Sequence, residues 1–471
     1  MLALLFLLLA HAAQSPPPDA RQAPLAPVSP TPIPAGSALQ QPLPDAPLPP
    51  APEGPVLSLP DALEAARKQA PDLAVAAERV QQARNNVDRA WAAVKPTLTG
   101  LASATYNNLP GFNFAAPGQP GDRLTEAASL NFGWTFFNGR AFPALATAKQ
   151  GVEVARLTET QQRREILLQV ASIYFSGLGL RELANVAFRQ SAVNRQHAAE
   201  AQARFEAGLI QRSAALRARI DVVRADEEAR RALFSYAASK SQLAALLDRP
   251  DTAFELLQPQ KAPKEIRGTF QALLQRAMID RPELAAARAN EEIAARLRTD
   301  AWAQFLPSLA LNAAARLNNP SQAVNGDHGT WAVTLALTLP LYDGGFRYVA
   351  LKDAQSQLRQ AKAQTRGTTA LVADELRRAQ IDLESAKALR EEAEQALGLS
   401  RENEELVRAQ FAAGTATQVE VSDAEAALFQ SEATALQQRL QVQLSALRVA
   451  KAVGAFDSDI DPDSASERVT K

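Results

Sequence analysis

The sequence predicts a mixed α/β chain of two similar halves, in which β-hairpins with one apolar face each run into a very long α-helix. Three observations predict it: a period-two stretch ending in a turn, a set of landmarks that occurs twice, and two long helical patterns almost free of proline. The stretch runs from Thr330 to Gly345. In it Trp331, Val333, Leu335, Leu337, Leu339 and Leu341 are large and apolar, whereas Ala332, Thr334, Ala336 and Thr338 are small or hydroxylic. Such alternation is a strand with one apolar face, and Asp343-Gly344-Gly345 is a turn that delivers it into a helix.

At the N-terminus, the apolar run Leu2 to Ala10 is too short to span a bilayer and is followed by small residues suited to signal peptidase, so 1–13 is expected to be a cleaved secretory signal. It lacks the usual Lys or Arg before the apolar run. No other stretch offers about 18 uninterrupted apolar residues, so membrane entry would be by strands. Residues 14–60 are rich in proline, as at Pro16-Pro17-Pro18 and Pro49-Pro50, and predict an extended, disordered linker.

The chain then repeats. Pro71-Asp72-Leu73, Trp91 and Pro96-Thr97-Leu98 recur as Pro282-Glu283-Leu284, Trp302 and Pro307-Ser308-Leu309 with the same internal spacing. Phe205-Glu206-Ala207-Gly208 likewise answers Phe411-Ala412-Ala413-Gly414. The first repeat is 61–248, the second 269–456, and 249–268 is a belt between them; the acidic tail 457–471 is expected to be loose.

Each repeat reads as helix, strand, strand, very long helix, turn, helix. The first helix spans about Asp72 to Val94, and again about Glu283 to Phe305, stopped by the proline that follows. The hairpins occupy 97–137 and 307–342. Their apolar faces carry Leu130, Phe132, Trp134 and Phe136 in the first hairpin; Leu309 and Leu311, then Trp331, Val333, Leu335, Leu337 and Leu339, form those of the second. Trp91 and Trp302 read as packing residues.

The long helices run from near Arg140 to near Ala207 and from near Phe346 to near Ala413. About 66 residues at 1.5 Å each make a rod of about 100 Å. Interior glycines such as Gly177, Gly179, Gly367 and Gly398 oppose helix formation by about 1 kcal/mol each, so packing along the length must sustain the rod. The Glu and Arg-rich segment Arg390 to Arg408 reads as a solvated face with local ion pairs.

A net charge of -1 and 6% aromatics give no basis for binding nucleic acid. Absence of cysteine excludes disulfides, thiolate metal sites, a cysteine nucleophile and a lipoprotein anchor. His11, His197 and His328 form no triad or metal-ligand spacing, and no phosphate-cradling glycine motif is present, so no enzyme activity and no cofactor are expected.

Four strands with one lipid-like face cannot close a membrane barrel, which starts at eight. Copies must therefore associate: two give eight strands, three give twelve, and only the larger barrel leaves an open lumen. A soluble sandwich and an envelope scaffold of coiled rods anchored by hairpins are the competing readings.

The Leu-Pro-Leu-Tyr-Asp-Gly-Gly strand-to-helix turn, the duplicated half, and Phe-x-x-Gly tips followed by Val419-Glu420-Val421-Ser422-Asp423-Ala424 strongly resemble the TolC family of outer membrane efflux proteins, from Leu57 to Phe456. The resemblance implies a homotrimer with a twelve-stranded barrel in outer membrane lipid and an α-helical periplasmic tunnel. It implies export of drugs, ions or proteins, in tripartite efflux or type I secretion, with a periplasmic adaptor and an inner membrane pump of RND or ABC type. It assigns Glu420 and Asp423 to the periplasmic gate, and Arg204, Phe205, Gly208, Leu209, Phe411, Gly414 and Thr415 to adaptor contact. The first-half counterpart of Glu420 is Ala214, with Arg212 and Arg217 nearby. Phe411, Ala416 and Ala214 stand where some members carry a Tyr, Arg and Asp lock, so closure here must rest on other contacts.

Overall fold

Each half opens with a pair of helices, not the single helix expected from the pattern. In chain order the elements are β1 (Val56–Leu57), α1 (Leu59–Gln69), α2 (Pro71–Ala92), β2 (Thr97–Tyr106), β3 (Leu124–Asn138), α3 (Ala141–Glu206), α4 (Arg212–Leu246), β4 (Glu255–Leu256), α5 (Phe270–Asp280), α6 (Pro282–Ala303), β5 (Ser308–Asn319), β6 (Gly329–Thr338), α7 (Phe346–Ala412) and α8 (Gln418–Val453). This computed structural model describes residues 43, 45–47, 54–106, 108, 123–259, 265–321 and 327–455. The expected signal 1–13, most of the linker 14–60 and the tail 457–471 lie outside the described residues.

Prolines open both helices of the first pair. Pro60 and Pro71 sit in the first turns of α1 and α2, where a missing N–H costs nothing. Ser58 caps α1 by accepting from the Asp61 amide at 3.3 Å, and Thr269 does the same for α5 through Ala272 at 3.4 Å. The linker consequently ends earlier than 60: β1 lies inside that span and pairs in parallel with β4, inside the belt, Val56 with Glu255 and Leu57 with Leu256.

Strands β2, β3, β5 and β6 form one antiparallel sheet in the order β2-β3-β5-β6, so β3 joins the first hairpin to the second. Direct pairing puts Leu98 beside Phe132, Trp134 beside Leu311, Leu311 beside Leu335 and Leu309 beside Leu337. Leu130 and Phe132 continue through Ala315 and Ala313 to Trp331 and Val333. Opposed residues in a sheet point to one side, so these form a single apolar face; Thr97, Thr99, Asn131, Gly133, Asn312 and Thr334 lie on the other.

Two expected positions differ. The register shifts between Thr135 and Phe137, and it is Phe137 that pairs with Leu309. Phe136 is the extra residue of a β-bulge, with its ring 5.3 Å from that of Trp134. Leu339 lies beyond the end of β6, held out of the ladder ahead of Pro340. The apolar face is bare within one chain: Trp331 is 81% exposed. Trp91 and Trp302 are exposed as well, so neither packs in the interior of the single chain.

At the strand-to-helix turn, Asp343 accepts from the Gly345 amide at 3.1 Å and from Arg347 Nε at 2.7 Å. Arg347 also donates to the Pro340 carbonyl at 2.8 Å and lies over the Phe305 ring at 4.9 Å. These contacts bury a guanidinium at the base of the sheet and fix the angle at which α7 departs.

Helices α3 and α7 contain 66 and 67 residues, matching the rods expected from sequence. Helix α3 packs along α2 and α4 and also touches α6 and α8; α7 packs along α6 and α8. Helix α3 is apolar and long enough to cross a membrane by length and composition. Its central residues Ile166, Leu167, Val170, Tyr174 and Phe175 are instead buried against α1, α4 and the β1–β4 pair. Gly177 allows that packing, since a Cβ there would stand 2.7 Å from Leu256 Cδ1 and 3.0 Å from Ser239 Oγ. Tyr174 Oη lies 2.9 Å from the Leu57 carbonyl and 2.5 Å from that of Leu257, riveting both short strands to α3.

Candidate functional site

The tips of the two rods are made the same way. Gly208 and Gly414 have φ of 74° and 78°, a conformation that suits glycine and ends a helix. Beyond each, an amide reaches back over the last turn: Leu209 N to Arg204 O at 2.9 Å, and Thr415 N to Gln410 O at 2.9 Å. Leu209 is 75% exposed, and the Gly208 and Gly414 positions are open. Arg204 lies over the Phe411 ring at 4.8 Å, so the two turns expected to meet a partner also touch each other.

Glu420 is drawn into a local role. Its carboxylate accepts from the Thr417 amide at 2.6 Å and from Thr417 Oγ1 at 2.9 Å, while Thr417 Oγ1 accepts from the Glu420 amide at 3.3 Å. This capping box opens α8 and holds the Glu420 carboxyl below its usual range, chiefly through the Thr417 amide. Asp423, one turn further on, is exposed and faces Arg217 of α4 at 3.8 Å. Glu420 and Asp423 thus sit on one short stretch of α8, but only Asp423 is tied to the other half of the chain.

Behind the tips lies a polar layer that spacing alone did not single out. Glu425 of α8 is buried and shared: its Oε1 lies 3.1 Å from His197 Nε2 of α3 and 3.3 Å from Arg408 Nη2 of α7. Arg408 also reaches Glu404 at 2.6 Å, and Glu404 is buried, so part of the Arg390 to Arg408 face is not solvated. The hydrogen bond to Glu425 raises the His197 pKa, reinforced by the charges of Glu425 and Glu200 and opposed by burial and Arg408. On the neighbouring turn, buried Asp226 accepts from Ser191 Oγ at 2.6 Å and pairs with Arg195. Asp221, near both, has its carboxyl pushed up by burial, against the pull of Arg217 and Arg224.

The sequence signals for these ties differ in strength. Thr417-x-x-Glu420 is a capping-box pattern that can be read directly. The His197, Glu425 and Arg408 cluster joins three helices, and no spacing within one of them announces it. Among the described residues no group of three or more His, Cys, Asp or Glu is placed to hold a metal ion.

A sheet with one apolar face mounted on paired rods of about 100 Å is the build of a strand-anchored, rod-forming protein. A family model described as outer membrane efflux protein matches residues 62–249 and 273–455, and the chain belongs to that family, the TolC family of outer membrane proteins. The outer membrane protein TolC of Vibrio cholerae is 25% identical over 410 residues, covering 85% of this chain and 91% of that protein. TolC of Escherichia coli is 22% identical over 409 residues, covering 83% and 79%. Among solved structures, the Vibrio cholerae outer membrane protein VceC superposes with a TM-score of 0.68 at 23% identity, over 84% of this chain and 96% of that one. The Campylobacter jejuni CmeC outer membrane channel gives 0.71 at 16% identity, over 87% and 88%. These likenesses establish a shared fold.

Proposed function

We propose that the chain is the outer membrane exit duct of a tripartite efflux or type I secretion system, passing drugs, ions or proteins across the periplasm and the outer membrane. The observation that carries this reading is the four-stranded sheet: β2 and β6 are edges, and Leu98, Leu130, Trp134, Trp331, Val333, Leu335 and Leu337 of its apolar face are exposed in a single copy. An isolated sheet of that kind would expose unpaired backbone groups to lipid, which the hydrocarbon does not tolerate. Three copies pair every edge in a barrel of twelve strands, with the face of Leu130, Phe132, Leu311, Val333 and Leu335 toward lipid and the hydroxyl and amide face toward a lumen. The rods then extend into the periplasm as a tunnel, and the recurrence of the family match in the two halves supports an internal duplication.

At the far end, the exposed turns Arg204 to Leu209 and Phe411 to Thr415 meet a periplasmic adaptor, which links the duct to an inner membrane pump of RND or ABC type. Glu420 and Asp423 form carboxylate rings at the gate, where rings of acids favour cations. The Arg204–Phe411 and Arg217–Asp423 contacts serve as the intrachain closure in place of the missing Tyr, Arg and Asp lock.

Purification from outer membranes followed by mass measurement and planar-bilayer recording tests the proposal. A trimer that conducts ions is expected. A monomeric periplasmic protein without conductance would return the chain to the scaffold reading.

A further inference from the structure

We propose that Arg316 forms an anion-binding ring inside the barrel, a subsite for the carboxylate, phosphate or sulfate groups of cargo leaving the duct. The inference rests on the trimeric barrel proposed above, and it begins from the charges in the ladder. Strands β2, β3, β5 and β6 hold only two charged residues, Glu126 on β3 and Arg316 on β5. The register puts them on opposite faces. Glu126 pairs with Ala104 and Asn319, in phase with Leu130 and Phe132 of the apolar face. Arg316 pairs with Ser129 on one side and Thr330 on the other, in phase with Asn312 and Thr334 of the hydroxyl and amide face.

The neighbours of Arg316 on that face leave its charge unanswered. Along β5 they are Ala314 and Asn318, and across the sheet they are Ser129 and Thr330, none of them acidic. The side chain is exposed. A guanidinium stays charged at any working pH, and its planar fork of donors matches carboxylate and phosphate oxygens. An arginine turned toward lipid would be costly, whereas on the luminal face its charge acts on whatever passes.

One arginine per chain is enough to make a ring. With strands about 4.8 Å apart and tilted by about 40°, twelve of them close at a backbone radius of about 12 Å. Each arginine reaches about 6 Å inward, so three-fold symmetry sets the guanidinium groups about 10 Å apart, one Debye length in dilute salt. Their fields therefore overlap across the lumen. Leu101, joined to Arg316 through Ser129 in the same register row, is the other long side chain on a face otherwise lined by Thr, Ser, Asn, Ala and Gly. The lumen thus narrows where the charge sits. Arg316 is three residues from the loop end of β5 at Asn319 and eight from its rod end at Ser308, which places the ring toward the exit.

The test uses the full-length protein in planar bilayers, with tripolyphosphate as the probe, added on the side of the hairpin loops. The wild-type current should be blocked, and the block should weaken as salt rises. Arg316→Gln should raise the half-blocking concentration roughly tenfold, the lower end of field focusing in a charged cleft, whereas Arg316→Lys, which keeps the charge, should stay close to wild type. The reversal potential in a KCl gradient should shift toward cations in Arg316→Gln and not in Arg316→Lys. Carboxylates at the tips repel polyanions, so they cannot supply this block. Equal block of wild type and Arg316→Gln overturns the ring and leaves the duct standing. A wild-type protein that does not conduct overturns both.

Discussion

His197 Nε2 on α3 lies 3.1 Å from Glu425 Oε1 on α8, and Arg408 of α7 reaches the same oxygen at 3.3 Å. One buried carboxylate therefore holds three helices together behind the tips. With the His197 pKa raised above its usual value, the charged imidazolium is favoured in the folded chain. The tie is then complete below about pH 6.5 and is lost as pH rises through the raised folded value. Hydrogen exchange around His197 and Glu425 should therefore quicken from pH 6 to pH 9 relative to His197→Gln measured at the same pH. Parallel profiles for the two proteins would remove the histidine from the tie.

Glu420 has two separable roles, and two substitutions divide them. Glutamine can still serve the capping box while removing the charge, whereas alanine removes both. Glu420→Ala should loosen the first turn of α8, read as faster amide exchange there, and Glu420→Gln should not. Asp423→Ala combined with Glu420→Gln should lower cation selectivity in planar bilayers. Unchanged selectivity would leave both acids as surface charges.

Tyr174→Phe removes one hydroxyl that touches both short strands. Leu57 O keeps the Leu257 amide as donor, at 3.0 Å, so the loss falls mainly on the part-buried Leu257 carbonyl; a lost hydrogen bond of this kind costs about 1 kcal/mol, and the unfolding midpoint of the helical signal should fall. An unchanged midpoint would show that the β1–β4 pair is held by its apolar contacts alone.

Two glycines in the rods should respond in opposite directions to alanine. Gly177→Ala gains helix propensity of about 1 kcal/mol, but its Cβ meets Leu256 and Ser239, and overpacking costs about 1–3 kcal/mol. Net destabilisation is expected. Gly398 has nothing within 4 Å of its added Cβ in one chain, so Gly398→Ala should raise the thermal midpoint. A fall at Gly398 would place that residue against a neighbouring copy.

The long elements were legible because their signals are local and repeated. Gly208 and Gly414 fix the lower ends of α3 and α7, and the turns at Gly139 and Gly345 fix the upper ends, so the expected limits fall within a residue of those found. The alternation from Trp331 to Leu337 likewise survives in the sheet register. Three features escaped. Helices α1 and α5 have only 11 residues each and end just before Pro71 and Pro282, where the stronger pattern of the next helix begins. The β1–β4 pair has two residues per strand, too few for any periodicity, and its partners are far apart in sequence. The bulge at Phe136 inserts a residue without breaking the apolar pattern, and only the partner strand reveals it. At the tips, Glu420 and Asp423 could be named from the resemblance, but the cross-helix partners Arg217, His197 and Arg408 depend on how separate rods pack.

The pairing of β3 with β5 joins the two halves by a continuous ladder in the sheet, whereas near the tips they are joined through side chains: Arg204 on Phe411, Arg217 with Asp423, and behind these the buried layer of His197, Glu425 and Arg408. Each rod is therefore a lever with its fulcrum in the sheet and its far end held by side-chain contacts. Over a length of about 100 Å, a tilt of about 5° at the sheet moves the tip by about 9 Å. A tip displacement of that size thus requires only a small change of angle where the rods leave the sheet.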